Sequence, residues 1–163
     1  MTIYALSSGS GISGVAIIRI SGLEASNVIK SLTSREIPKP RMATLRKINN
    51  INTSELIDEG IIIWFPGPES YTGEDMAEIH IHGGKAGILA VQNEISKIKN
   101  CRLAEPGEFT KLAFQNGKIN LLKAESIGDL ISAETEIQRS QAIKIMKGKS
   151  SLKFNELREK LLK

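Results

Sequence analysis

The segment from residue 65 to residue 84 constrains the fold more than any other part of the chain. It begins with a turn rich in proline and glycine, residues that break regular structure and reverse the chain. Residues 76–82 then alternate in polarity, which predicts a strand with one polar face because successive side chains of a strand point to opposite sides. Gly83 and Gly84 separate this strand from a predicted helix. A row of ionisable groups between two flexible turns is typical of a ligand site.

The polar face of this strand carries Glu78, His80 and His82. Two histidines with a nearby carboxylate could chelate a metal ion, since imidazole and carboxylate are both zinc ligands. A single histidine pair on a strand is a weak signal for metal, and hydrogen-bonded histidines are the favoured interpretation. On the residues alone, the three side chains remain equivalent candidates.

The order of hydrophobic patterns predicts an α+β fold. Strands are expected at residues 3–6, 15–22, 42–48, 56–65, 76–82 and 101–104, with helices at 23–32 and 85–99. Helices placed between hairpins favour a mixed sheet with helices on one face over a doubly wound parallel sheet. Arg19 is the one charge in the apolar strand at 15–22 and therefore needs a partner. An internal carboxylate is favoured, and a carboxylate-bearing ligand is the alternative.

The C-terminal part is predicted to be helical. Asn120 can cap one helix, and Thr135 with Gln138 can form the capping box of the next. The apolar pattern of this last helix continues through Ile145, Leu152, Leu157 and Leu161, with no Gly or Pro near the end. We therefore expect one long helix up to the last residue. Its unterminated end favours a truncated chain, in which further residues or another subunit would pack on it.

Two glycine motifs invite a nucleotide-binding interpretation. Gly9, Gly11 and Gly14 have the spacing of a dinucleotide motif, but a β-branched strand follows where that motif needs a helix. The sequence Gly148-Lys149-Ser150 resembles the end of a phosphate-binding loop, but it lacks the earlier glycine and the preceding strand. The sequence therefore predicts no nucleotide site in this chain.

Composition and charge bound the class of protein. The 163 residues are 40% hydrophobic, which is enough for one well-cored domain with an appendage. No run is long enough for a membrane span, no signal peptide is evident, and the lone Cys101 fits a reducing compartment, so a cytoplasmic protein is expected. The net charge is +4, and residues 138–163 carry eight basic groups against two acids. Any attraction to nucleic acid should therefore lie mainly at that end, and a solvated helix face explains the charges at least as well.

Five blocks of sequence resemble one known family. They are Gly14-Val15-Ala16-Ile17-Ile18-Arg19-Ile20-Ser21-Gly22, Pro66-Gly67-Pro68-Glu69-Ser70-Tyr71-Thr72-Gly73-Glu74-Asp75, Glu78 with His82-Gly83-Gly84, Pro106-Gly107-Glu108-Phe109-Thr110 and Asn116-Gly117-Lys118-Ile119-Asn120-Leu121. In this order they resemble the N-terminal region of the tRNA modification GTPases of the MnmE (TrmE) family. The resemblance covers nearly the whole chain.

The resemblance implies a tetrahydrofolate-binding domain at 1–118, related to folate-dependent aminomethyltransferases. Residues 119–163 would begin an all-helical domain into which the family inserts a Ras-like G domain. In the family, the folate domain forms a homodimer and 5-formyltetrahydrofolate lies near the dimer interface. Arg19, Glu78 and Lys118 match the family's ligand-contacting residues, which singles out Glu78 from its strand. His82 then becomes a structural residue, and His80 has no assigned role.

The intact family acts on tRNA with its FAD-dependent partner MnmG and forms 5-carboxymethylaminomethyl-type uridine at the wobble position. GTP, Mg²⁺ and K⁺ bind only in the G domain, which these residues do not include. We therefore expect this chain to bind folate and to dimerise without GTPase activity and without catalytic residues of its own.

Two departures from the family pattern leave an alternative open. Ile12 and Leu112 stand where the family usually has basic residues. If those cations support folate binding, this chain could be a structural or dimerisation fragment that no longer binds folate. A stand-alone aminomethyltransferase is less favoured, because no nucleophile or proton-abstracting group stands out.

Overall fold

A computed structural model describes residues 1–9, 11–148 and 158–162 of the chain. These residues form two compact units, Met1–Phe109 and Thr110–Lys163. The first unit contains a six-stranded sheet. Its strands are β1 Thr2–Leu6, β2 Ser13–Ser21, β3 Thr44–Asn49, β4 Leu56–Phe65, β5 Met76–Gly83 and β6 Cys101–Leu103.

The spatial order of the strands is β3-β4-β5-β2-β1-β6. Neighbouring strands are antiparallel except β1 and β6, which are parallel, so the sheet is mixed as predicted. Gly9 and Gly11 lie at the reversal between the antiparallel strands β1 and β2, and Gly14 is the second residue of β2. No helix opens after them, which agrees with rejection of the dinucleotide motif.

One face of the sheet is covered by the helices α1 Ala25–Thr33 and α2 Lys85–Ser96. Every second side chain of the inner strands points to this layer because of the strand period of two. The buried cluster includes Ile18, Ile20, Ile62, Trp64, Ile79 and Ile81 from the strands, and Val28, Ile29, Leu32, Val91 and Ile95 from the helices. The predicted α+β class, with helices on one face of a mixed sheet, is therefore confirmed.

The alternating residues of the same strands form the opposite face of the sheet. Helices α1 and α2 both pack on the core side, so neither of them covers this face over β2, β4 and β5. Arg19 of β2 and Glu78 and His80 of β5 belong to it. These three side chains are partly buried, whereas the core residues of the same strands are fully buried.

The second unit is helical. Helix α3, Glu108–Gln115, begins at the end of the first unit and is followed by α4, Leu121–Ser132, and α5, Glu136–Met146. Both predicted caps are present: the Asn120 side chain accepts a hydrogen bond from the backbone N–H of Lys123, and Thr135 and Gln138 form the capping box. The division of the chain into domains at residue 118 stays a prediction.

The last predicted helix does not run unbroken to the end of the chain, and this detail of the prediction was wrong. Helix α5 ends at Met146, and Gly148 has a φ of 81°. Glycine adopts this left-handed conformation without a Cβ penalty and is a common helix stop. Leu152, Leu157 and the Lys149-Ser150 pair lie outside the described residues, and residues 158–161 are helical. Within the described ranges, the chain has no helix of the length and apolarity that a membrane span requires.

Candidate ligand site

Arg19 and Glu78 form an ion pair on the face of the sheet opposite helices α1 and α2. They are directly opposite each other in the antiparallel register of β2 and β5. The guanidinium donates from Nε and Nη2 to the same carboxylate oxygen, Oε1, at 3.0 Å and 2.7 Å. Cross-strand partners are held close by the backbone ladder, so this pairing follows from the register alone. The favoured expectation for Arg19, an internal carboxylate partner, is confirmed.

Two aromatic rings flank the Arg19 guanidinium. Its Cζ atom lies 5.7 Å from the ring centroid of Tyr71 and 5.7 Å from that of Phe109. A guanidinium at this distance from an aromatic face is attracted by the negative face of the ring. The strand, the loop before β5 and the start of α3 therefore converge on one arginine.

The Tyr71 loop is fastened to the end of β2. The Ser21 hydroxyl donates a hydrogen bond to Glu74 Oε2 at 2.9 Å and lies 2.7 Å from the Thr72 hydroxyl. The backbone N–H of Gly22 donates to the Asp75 carbonyl at 2.9 Å. Ser21 and Thr72 are fully buried. This network fixes the loop and thereby the position of Tyr71 beside Arg19.

Phe109 is positioned by a second set of contacts at the start of α3. The Arg102 guanidinium of the edge strand β6 is bonded to both oxygens of Glu108. Glu108 Oε2 also accepts a hydrogen bond from the backbone N–H of Glu105 at 2.7 Å. A carboxylate at this end of a helix is further stabilised by the positive end of the helix dipole. Glu108, the residue before Phe109, is thus bonded to the edge strand β6.

The site has a distinct chemical character. The side chains of Arg19 and Glu78 are 29% and 17% exposed, so solvent or a ligand can reach them. Both arginine bonds go to Oε1, whereas Oε2 lies 3.4 Å from His80 Nε2, a long contact. A carboxylate oxygen of this kind can accept hydrogen bonds from a ligand. The arrangement suits a flat, partly charged molecule that presents N–H donors.

Of the sequence-predicted site residues, the structure brings together Arg19 and Glu78. Lys118 lies in the second unit, where its side chain is exposed and its backbone N–H donates to the Ala113 carbonyl at 2.8 Å. Lys118 is therefore not counted among the residues of this site. The assignment of all three to a ligand stays a prediction.

The two histidines of β5 each contact a carboxylate. His80 Nε2 lies near Glu78, whereas His82 Nδ1 lies 2.8 Å from Asp58 Oδ1 and the His82 backbone N–H donates to Asp58 Oδ2 at 2.9 Å. Burial alone would raise the pKa of Asp58, but the hydrogen bonds from His82 and from the Glu59 N–H outweigh it and lower that pKa. These contacts agree with hydrogen-bonded histidines and with a structural role for His82.

The two departures from the family pattern have different surroundings. Ile12 is 98% exposed in the β1–β2 turn, and Leu112 is half-buried in α3. Tyr71 and Phe109 were missed as site residues, although the chain has only two tyrosines and four phenylalanines. An aromatic residue inside a polar, glycine-containing loop, as at Tyr71, was the available signal.

The fold and the site together define an α+β domain with an ion pair and aromatic rings on the sheet face opposite helices α1 and α2. A family model described as the N-terminus of the GTP-binding protein TrmE matches residues 2–118. The chain belongs to this family.

Curated relatives agree over almost the whole chain. The sequence is 78% identical, over all 163 residues, to the tRNA modification GTPase MnmE of Pelagibacter ubique. It is 47% identical over 99% of its length to the mitochondrial tRNA modification GTPase gtpbp3 of Dictyostelium discoideum, and 43% identical over 99% to MnmE of Parvibaculum lavamentivorans. It spans 37%, 33% and 37% of the length of these three relatives.

Proposed function

We propose that this chain is the folate-binding and dimerisation part of an MnmE-type tRNA modification GTPase. The whole protein, with an MnmG-like FAD protein, would form 5-carboxymethylaminomethyl-type uridine at the tRNA wobble position. Family membership and the names of the relatives, which are tRNA modification GTPases, support this proposal. GTP, Mg²⁺ and K⁺ would bind to a G domain that these residues do not include, and the protein would act in the cytoplasm.

The main observation is the Arg19–Glu78 pair beside two aromatic rings, on the sheet face opposite helices α1 and α2. The pterin of a folate is flat and presents N–H donors along one edge, which Glu78 Oε2 could accept. Arg19 would hold that carboxylate in place, and Tyr71 and Phe109 would supply apolar surface for the ligand. The glutamate tail of the folate is anionic and suits a cation such as Lys118. The bound folate would supply the one-carbon unit.

Apolar residues near the site support dimerisation. Leu45 and Ile61 are cross-strand partners, and Ile61 is in turn opposite His80, so these side chains share the sheet face of Glu78. Leu45 is 62% exposed and Ile61 is 39% exposed. A second copy of the chain that covers this face would bury them and would also enclose the ligand.

Calorimetric titration with 5-formyltetrahydrofolate tests the proposal. We expect micromolar binding by the natural chain and none by Glu78→Ala. Glu59→Ala, which removes an exposed carboxylate from the neighbouring strand, is the matched control and should bind as the natural chain does. No heat at millimolar ligand would refute folate binding.

That negative result would favour the alternative function. This alternative rests on the family resemblance, under which Ile12 and Leu112 stand where the family usually has basic residues. In that case the chain would be a structural or dimerisation fragment. Sedimentation equilibrium would then still detect a dimer, whereas ligand titration would detect nothing.

A further inference from the structure

A second basic cluster lies in the first unit, far along the sequence from the C-terminal one. Residues 30–47 contain six basic side chains and one acid, a net charge of +5 in a chain whose total is +4. They extend from the last turn of α1, through the connection, into the edge strand β3. Composition averaged over the first 137 residues conceals this cluster, because acids elsewhere in that part of the chain offset it.

The cluster surrounds a groove between the end of α1 and β3. Two adjoining cavities of about 730 Å³ and about 550 Å³ share Ser34, Arg35 and Arg46 in their walls. Basic groups come from both sides of the groove. The larger cavity also reaches Lys47, and the smaller one reaches Lys30.

Most of these cations have no carboxylate partner among the described residues. Lys30 pairs with Glu36 at 2.7 Å, but Arg35, Arg46 and Lys47 form no ion pair within the described ranges. Arg46 donates from Nη1 to the Leu45 carbonyl at 3.1 Å, and its buried Nε has no hydrogen-bond acceptor. The exposed side chains of Arg35 and Lys47 therefore present positive charge to this groove that no ion pair within the described ranges neutralises.

Two features of the groove oppose an anion. Together they carry less negative charge than the three cations carry positive charge. Glu59 lies opposite Lys47 in the β3–β4 register and lines the larger cavity. The carbonyl end of α1 at Ser34 carries a partial negative charge. Glu36 is already paired with Lys30. Three unpaired cations therefore face one carboxylate and a helix end.

We propose that this groove binds the phosphate backbone of RNA, with Arg35, Arg46 and Lys47 as the contacting cations. A strip of cations in an open groove suits a polyanion, whereas a single phosphate would need a closed cradle. Among the described residues that line the groove, none has an aromatic side chain that could stack on a base, so the contact positions the RNA without reading its sequence. The choice of RNA rests on the proposed function, in which tRNA is the substrate.

The test measures binding of a fluorescently labelled, unmodified tRNA transcript by anisotropy at several salt concentrations. Arg35→Glu with Lys47→Glu leaves the partly buried Arg46 intact, so this variant should fold. We expect it to weaken tRNA binding by about tenfold or more at low salt, and to reduce the salt slope by about two. The matched control is Lys85→Glu with Lys99→Glu, which makes the same charge change at two exposed positions outside the groove. Its affinity should change much less.

The same variants are then titrated with 5-formyltetrahydrofolate, which separates this proposal from the folate proposal. Loss of tRNA binding with unchanged folate binding supports the groove. Equal tRNA binding by the groove variant and the control variant would overturn it, as would competition by inorganic phosphate that equals competition by unlabelled tRNA at matched ionic strength. Absence of folate binding alone would leave the groove result standing.

Discussion

The Arg19 guanidinium holds only one of the two oxygens of Glu78. Nε and Nη2 both donate to Oε1, at 3.0 Å and 2.7 Å, while Oε2 lies 3.4 Å from His80 Nε2. The usual fork-to-fork arrangement would engage both oxygens. The observed geometry orients the carboxylate and still leaves an acceptor directed away from the arginine.

The first prediction concerns the strength of this ion pair. We expect Arg19→Met and Glu78→Gln each to lower the free energy of unfolding by about 1–2 kcal/mol, because each leaves a half-buried charge without its partner. The double variant should be less destabilised than the sum of the two, with a coupling energy of about 1 kcal/mol. Urea denaturation of the four proteins measures this cycle. Strict additivity would mean that the pair contributes nothing to stability.

The second prediction concerns the support of Phe109. Glu108 is bonded to Arg102 and to the backbone N–H of Glu105. Glu108→Ala removes both contacts, and we expect it to weaken folate binding by about fivefold, which is about 1 kcal/mol. Calorimetry measures the change, and Glu105→Ala is the control because its side chain is exposed. If the Glu108 variant binds with full affinity, this contact does not position the site.

The third prediction concerns acid stability. Glu94 is 4% exposed and accepts hydrogen bonds from the Lys97 ammonium at 2.6 Å, the Asn50 amide at 2.9 Å and the Ile51 N–H at 3.1 Å. The hydrogen bond from Lys97 is the largest cause of its lowered pKa; burial opposes it, and the Ile51 N–H adds to it.

A lowered native pKa gives stability that is complete above the ordinary value of 4.5 and is lost as the pH falls through the lowered pKa. Glu94→Gln should therefore be less stable at neutral pH by about 1–3 kcal/mol and should lose less stability below pH 4.5. Thermal unfolding from pH 7 to pH 3 measures both effects. The exposed Glu55→Gln serves as control, and an unchanged acid profile for Glu94→Gln would contradict the assignment.

The fourth prediction compares two glycines. A Cβ at Gly60 would lie 2.2 Å from the His80 carbonyl oxygen, whereas a Cβ at Gly87 would meet nothing within 4 Å. Gly60→Ala should therefore destabilise the sheet by about 2 kcal/mol or more, because backbone must move. Gly87→Ala lies in helix α2 and should stabilise by about 0.5–1 kcal/mol. Chemical denaturation distinguishes the two, and equal effects would refute the packing around β5.

Local patterns were sufficient for most of the fold. The alternation at 76–82 and the capping signals at Asn120 and Thr135 depend on neighbours in sequence, and the structure agrees with each. The prediction of one long last helix failed because the apolar pattern continued past Gly148, whose backbone conformation ends the helix. The hydrophobic periodicity shows which positions are apolar, but it gives no information about the backbone angle φ.

The site was harder to predict because its members are distant in sequence. Arg19 and Glu78 are 59 residues apart, and only the β2–β5 register makes them neighbours. The sequence indicated that Arg19 needs a partner and favoured an internal carboxylate over a ligand, but it did not identify which carboxylate. Phe109 reaches the site through the Arg102–Glu108 contact at the edge of the sheet, a link with no sequence pattern. The family resemblance named Arg19 and Glu78, whereas the aromatic rings emerged from the structure.

A crystal structure of the chain with 5-formyltetrahydrofolate tests the central claim most directly. The account predicts ligand density on the sheet face opposite helices α1 and α2, with a pterin N–H within hydrogen-bond distance of Glu78 Oε2 and ring atoms in contact with Tyr71 or Phe109. Density for the ligand elsewhere, with the Arg19–Glu78 face occupied by solvent alone, would contradict it.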